Sequence, residues 1–203
     1  MTRPIPRAAL GCRSHSGWAA LVALAGPPQA PQVIDRRRIE IADASISGSK
    51  QPYHAAEPMD FPDAQAFLKR CSRSTSRLAI QSLRGVIDDI RARGFQASDF
   101  GVALGSGRPL PGLKNVLSSH ALIHTAEGEF YRQEMLKAGR QCGLTVLGVK
   151  ERELYARASA QFRMPLDELE RRVSDLGKPV GPPWTQDQKC AALMAWLALA
   201  GSL

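Results

Sequence analysis

The chain has few cysteines and no closely spaced pair among them. Cys12, Cys71, Cys142 and Cys190 are scattered over 203 residues, which excludes a zinc ribbon, a thioredoxin-type motif and a disulfide framework. Buried, reduced thiols in a cytoplasmic protein are the expectation. No Gly-Lys-Ser/Thr closes a glycine-rich turn, so there is no P-loop, and there is no His-Glu-x-x-His helix. No internal repeat, low-complexity segment or long Lys/Arg run is present. The densest basic cluster, Arg36, Arg37 and Arg38, sits between Asp35 and Glu40. Long apolar runs are also missing. Gly17 to Gly26, behind Arg3 and Arg7 and ahead of Pro27 and Pro28, imitates a signal peptide. Arg13 and His15 abut it, however, and a run this short cannot span a bilayer and suits a buried strand equally well. No transmembrane helix is expected.

What is present is ordinary for a globular protein: 44% apolar and 23% charged residues, enough for one domain with a real core. The net charge of +8 favours a polyanionic partner or reflects a basic, solvated surface.

Two apolar runs, Ala8 to Ser14 and Trp18 to Gly26, are divided by His15, Ser16 and Gly17, which reads as a β-hairpin with Gly17 at its turn. A third strand around Ile39 and Ile41 carries outward charges suited to a sheet edge. Residues Asp43 to Pro58 read as an irregular connection containing Tyr53, His54 and Glu57. A helical pattern runs from Pro62 to Arg93, with Ser72 to Ser76 as a possible break and Gly94 as the stop. A strand ending in glycines follows, then a helix to Arg140. Leu144 to Val149 is apolar throughout, as in a strand buried within a parallel sheet. Two charged helices come next, with residues 164–177 read as a small helical insertion in a single domain. Thr185 with Gln188 forms a capping box for a last, mostly buried helix.

The order β-β-β-α-β-α-β-α implies an α/β mixed sheet with helices on its faces. In such a sheet, ligands gather at the carboxyl ends of the strands. All four histidines fall near that edge, together with the glycine- and proline-rich turns.

At 100° per residue, His120, His124, Glu127 and Tyr131 fall within about 60° of one another on a helix, opposite Leu122, Ile123, Ala126, Phe130 and Leu136. Histidines at i and i+4 can share a metal, with Glu127 one turn on. The same pattern also describes the solvated face of an amphipathic helix. Ser14 and Ser16 in the hairpin, and the turn carrying Ser106 and Arg108, either cradle a phosphate or are ordinary turns. Trp184 either shields a site or stacks on a base, or it packs on the core.

This element order resembles the ribonuclease H-like fold of ribonucleases H, Holliday junction resolvases and integrases, and also one half of an actin-like nucleotide-binding protein. The resemblance implies a two-metal nuclease site with an acid in strand one, another after strand four, and one or two in the last helix. This sequence departs from that pattern. Strand one offers Cys12, Arg13, Ser14 and His15, no acid follows strand four before Glu127, and only Asp187 matches in the last helix. A metal here would need histidine, which favours zinc, manganese or iron over magnesium.

The resulting expectation is a metal-dependent hydrolase, nuclease-like, acting on a phosphodiester or nucleic acid. Its catalytic residues would be His15, His124, Glu127 and Asp187. Its metal ligands would be His54, His120, His124 and Glu127. Arg13, Ser14, Ser16, Arg108, Trp184 and Lys189 would bind substrate. The alternatives are a non-catalytic nucleic-acid or protein-interaction module of the same fold, and a small phosphate or nucleotide binder.

Overall fold

In a computed structural model describing residues 5–105, 107 and 109–201, the chain forms one five-stranded sheet. Strand β1 (Arg7–His15) turns through Ser16 and Gly17 into β2 (Trp18–Ala25). Gly17 has φ +86°, a left-handed conformation that glycine adopts without the Cβ clash. Strand β3 (Gln32–Glu40) pairs antiparallel with β2, and β4 (Gln96–Leu104) and β5 (Thr145–Lys150) run parallel to β1 in the order β3-β2-β1-β4-β5. The carboxyl ends of β1, β4 and β5 therefore share one edge.

One face is covered by α2 (Phe61–Ala92) and α4 (His120–Gln141), which pack Leu83, Val86, Ile90, Tyr131 and Met135 on Leu10, Cys12, Phe100 and Val102. The other face carries α7 (Gln186–Ala200), flanked by α5 (Glu151–Phe162) and α6 (Leu166–Asp175). Helix α7 lies directly on the strands because Gly11 and Gly101 have no side chain. A Cβ at Gly11 would overlap the Ala191 carbonyl oxygen, and one at Gly101 the Met194 carbonyl oxygen. The expected capping box is formed: Asp187 N donates to the Thr185 hydroxyl, and Gln188 reaches back to the Thr185 amide at 2.9 Å. Among the described residues, no helix is long and apolar enough to cross a membrane.

Three local readings need correction. Helix α2 runs unbroken through Ser72 to Ser76. Ser72 donates to Glu134 at 2.9 Å, Ser74 donates to Asp43, and Thr75 is buried. The Ser72 and Ser74 hydroxyls find partners outside the helix and so do not compete with its backbone bonds. Strand β5 is an edge strand and only partly buried. Its apolar residues follow from helices on both faces, not from strands on both sides. The connection after β3 contains the helical turn α1 (Pro52–Ala56) and is packed rather than loose.

The Arg36–Arg38 cluster, the densest basic run, is committed to structural contacts. Arg36 donates to the carbonyls of Gly181 (2.8 Å) and Pro183 (2.6 Å). Arg37 binds Asp35 (2.6 Å) and Asp89 (2.9 Å), and Arg38 lies 4.0 Å over the Trp18 ring while bonding Glu40.

Candidate metal centre

The segment leading to His54 is fixed at several points. Asp43 accepts from the Ser45 amide and hydroxyl, from Ser74 on α2 and from Arg77. The bonds from Ser45 and Ser74 hold its carboxyl at about 2. Burial raises the Tyr131 phenol, which stays neutral and donates to the Ser49 carbonyl at 2.6 Å. Gly48, at φ +77°, has no Cβ to meet that of Ala55. Pro52 then starts α1 at a position where its missing N–H costs nothing.

This packing explains the polar arc on α4. Glu127 and Tyr131 are buried under α1 and the segment before it, whereas His120 and His124, nearer the helix start, remain exposed. The arc is thus solvated at its amino-terminal end and internal one turn further on.

Where the two regimes meet, His54, His120 and His124 converge. One nitrogen from each lies within 4.8 Å of the other two. The Nε2 atoms of His120 and His124 are 3.1 Å apart, whereas two ligand nitrogens on a tetrahedral zinc at about 2.05 Å would be separated by roughly 3.3 Å. His54 Nδ1 lies 2.8 Å from Glu127 Oε2, while Glu127 Oε1 accepts the Tyr53 amide at 2.9 Å. Both carboxylate oxygens are occupied, and His54 keeps Nε2 free. A carboxylate behind a histidine, fixing its tautomer, is the arrangement found around metal-ligating imidazoles.

His15 stands apart, on the end of β1. Its ring stacks on Trp18 with centroids 4.3 Å apart, and its Nε2 lies 2.9 Å from Asp187. Arg13 donates to Asp187 (2.6 Å) and to Glu151 at the start of α5 (2.9 Å). Burial alone would raise the Asp187 carboxyl, but the bonds and charges of His15 and Arg13 outweigh it and hold it below the usual range. Burial likewise tends to lower the Arg13 guanidinium, and Glu151 and Asp187 raise it overall. The sequence-derived residues therefore fall into two groups: His54, His120, His124 and Glu127 in one, and Arg13, His15 and Asp187 in the other.

The remaining residues are placed as follows. Ser14 is buried and its hydroxyl has no hydrogen-bond partner among the described residues, while Ser16 is exposed in the turn. Trp184 packs against Gly177 and donates to the Val173 carbonyl at 3.0 Å. Lys189 lies in the first turn of α7, and Arg108 falls outside the described residues. Sequence reasoning missed Glu151 and Arg132. Both are charged residues on helices with ordinary solvent-facing patterns, and no spacing rule distinguishes them.

No protein-family model and no curated protein matches this sequence. Among solved structures, Thermus thermophilus RuvC in complex with Holliday junction substrate aligns over 94% of this chain and 90% of that one, at 9% identity and a TM-score of 0.50. A second Thermus thermophilus RuvC structure aligns over 93% and 91%, at 10% identity and a TM-score of 0.49. A member of the Ppx/GppA protein family from Aquifex aeolicus aligns over 77% of this chain and 40% of its own, at 11% identity and a TM-score of 0.36. The first of these similarities, together with the strand order, defines the fold as ribonuclease H-like.

The carboxylate-bound metal pair implied by that fold does not fit the residues present. β1 has no acid, the Cys12 thiol at its centre is pushed up by burial, and Asp187 is bonded to an arginine. A cationic side chain already neutralises the acids at this point. Among the described residues, the group able to hold a cation is instead the three-histidine cluster.

Proposed function

We propose that this chain is a metal-dependent hydrolase acting on a phosphodiester, with nucleic acid as the substrate class, and that its metal centre is His54, His120 and His124. The observation that carries this reading is the convergence of three imidazoles, one backed by a buried carboxylate. Three nitrogen donors suit zinc, manganese or iron better than magnesium. A divalent ion there would act as a Lewis acid and activate water near neutral pH. Glu127 acts as the positioning carboxylate: it holds His54 through Nδ1, which leaves Nε2 as that ring's free nitrogen. His120 and His124 are exposed, leaving the remaining coordination positions open to substrate. In this scheme Arg13, His15 and Asp187 form a separate group at the end of β1, where Arg13 and His15 keep Asp187 ionised.

The groove between α2 and α4, about 820 Å³, is lined by Arg73, Arg77, Arg84 and Lys137 together with Asp88 and Glu134, a net basic surface that a polyanion could follow. Four free thiols fit a reducing, cytoplasmic setting.

A second reading, a non-catalytic nucleic-acid-binding module of the same fold, is favoured by the arginine on β1 where the fold's nucleases carry an acid. Elemental analysis of the purified protein, with a cleavage screen on single-stranded, duplex and branched DNA, separates the two. Metal near one equivalent, with chelator-sensitive cleavage lost in His124→Ala, supports the hydrolase. Salt-dependent DNA binding with no cleavage by wild type supports the module.

A further inference from the structure

Arg132, on α4, has five N–H donors. Its guanidinium makes no hydrogen bond to any described residue. Nε is buried without a partner, and the one ion pair is a loose 3.9 Å contact from Nη2 to Glu151 Oε1. Glu151 is already held by Arg13 at 2.9 Å. In a side chain only 20% exposed, the buried Nε is thus left without an acceptor and the terminal nitrogens with no close protein partner among the described residues, although buried polar groups normally acquire hydrogen bonds.

The placement is built into the backbone. Gly128, one turn earlier on α4, and Gly105, just past β4, lie on either side of the guanidinium. A Cβ at Gly128 would sit 2.6 Å from Nη1, and one at Gly105 2.9 Å from it. Larger residues at either position would displace the fork.

A second unmet donor lies at the same edge. Ser14 Oγ is buried and has no partner among the described residues. β1 and β4 are neighbours, with Cys12 level with Val102, so Ser14 stands two residues further along, beside the end of β4. By strand alternation it shares the face of Leu10 and Cys12, the face covered by α4. A guanidinium with its Nε buried and unpartnered, and a buried, unpartnered hydroxyl, thus stand on one face of one strand edge and lack an acceptor rich in oxygens.

We infer that Arg132 and Ser14 form an anion subsite for a phosphoryl group, with Arg132 gripping two of its oxygens. This deepens the hydrolase reading by assigning the residue that holds a substrate phosphate at the carboxyl edge of β1 and β4, and it rests on that reading for the identity of the substrate. Bidentate Arg–phosphate pairing supplies both the geometry and the strength such a subsite needs.

The test titrates the full-length protein with inorganic phosphate and, separately, with a short single-stranded oligonucleotide. Binding is followed by calorimetry and by the arginine Nε–Hε resonances, and metal content is measured in parallel. The expected result is saturable binding that shifts one protected Nε–Hε signal and weakens at least about tenfold in Arg132→Gln. Arg132→Lys, which keeps the charge but not the fork, should fall between. Binding of the oligonucleotide with no response to free phosphate identifies a diester as the ligand, and response to both identifies any phosphoryl group. Gly128→Ala, which retains Arg132 but crowds its guanidinium, serves as the second variant if Arg132→Gln does not fold, and should also weaken binding. The inference is overturned if neither probe saturates the wild type, or if affinity is unchanged in all folded variants. Metal retained without phosphate binding overturns this subsite and leaves the metal centre standing. Arg132-dependent phosphate binding by a protein that holds no metal does the reverse.

Discussion

His54 Nδ1 and Glu127 Oε2 lie 2.8 Å apart, joining α1 to the middle of α4 across 73 residues of sequence. Glu127 is almost fully buried, and its second oxygen caps the Tyr53 amide, so one side chain both fixes α1 and orients an imidazole. Replacing it separates these tasks. Glu127→Gln can preserve the amide cap while weakening the bond to His54. Metal affinity should fall about 10- to 100-fold, the usual loss when a ligand's supporting carboxylate is changed. Glu127→Ala should add about 1–3 kcal/mol of destabilisation, because the partly buried Tyr53 amide loses its acceptor. A chelator competition and a urea melt measure the two effects.

His120 and His124 are exposed and contact each other and His54. His120→Ala and His124→Ala should leave the metal-free protein within about 0.5 kcal/mol of wild type, as expected for surface sites. Either change should abolish stoichiometric metal binding. A thermal melt with and without added zinc distinguishes these effects: zinc should raise the wild-type midpoint and leave both variants unmoved. An equal zinc-induced rise in all three proteins would remove these histidines from the centre.

Asp187 gives a pH dependence with a definite sign. Its carboxyl is held below the usual range in the folded protein. The stabilisation is therefore present above about pH 4, the unfolded carboxyl value, and is lost as pH falls through the lowered folded value. Asp187→Asn should lose this contribution at neutral pH and show a shallower decline in stability below pH 4. Denaturant titrations at a series of pH values test this, and equal slopes for variant and wild type would contradict it.

Helix α7 rests on two glycines, and its backbone leaves no room beneath. Gly11→Ala forces a Cβ onto the Ala191 carbonyl, and Gly101→Ala onto that of Met194. Each should cost about 1–3 kcal/mol or more, as overpacking in close-packed cores does. The control Gly85→Ala, on α2 with nothing within 4 Å of the added carbon, should be neutral or stabilising by roughly 0.5–1 kcal/mol. Thermal unfolding ranks the three variants.

The sequence by itself determined the elements and their order. Turn glycines at Gly17 and Gly94, the capping box at Thr185 and Gln188, and the difference between period-2 and period-3.6 patterning are local signals; they implied a mixed α/β sheet, whose element order resembles the ribonuclease H-like fold. Right-handed crossovers then placed the histidines near one strand edge. Only the tertiary structure decided which of them meet. His120 and His124 were legible as a pair because i and i+4 share a helix face. His54 joins them because Asp43, Gly48 and Tyr131 dock a distant connection onto α4, whereas Asp187 and Trp18 hold His15 on β1. The same docking buries Glu127 and Tyr131 on a face that helical periodicity leaves solvated. Burial depends on what covers a surface, and here the cover comes from more than seventy residues upstream. Arg132 was invisible for the same reason: its unmet donors arise only where α4 meets the ends of β1 and β4.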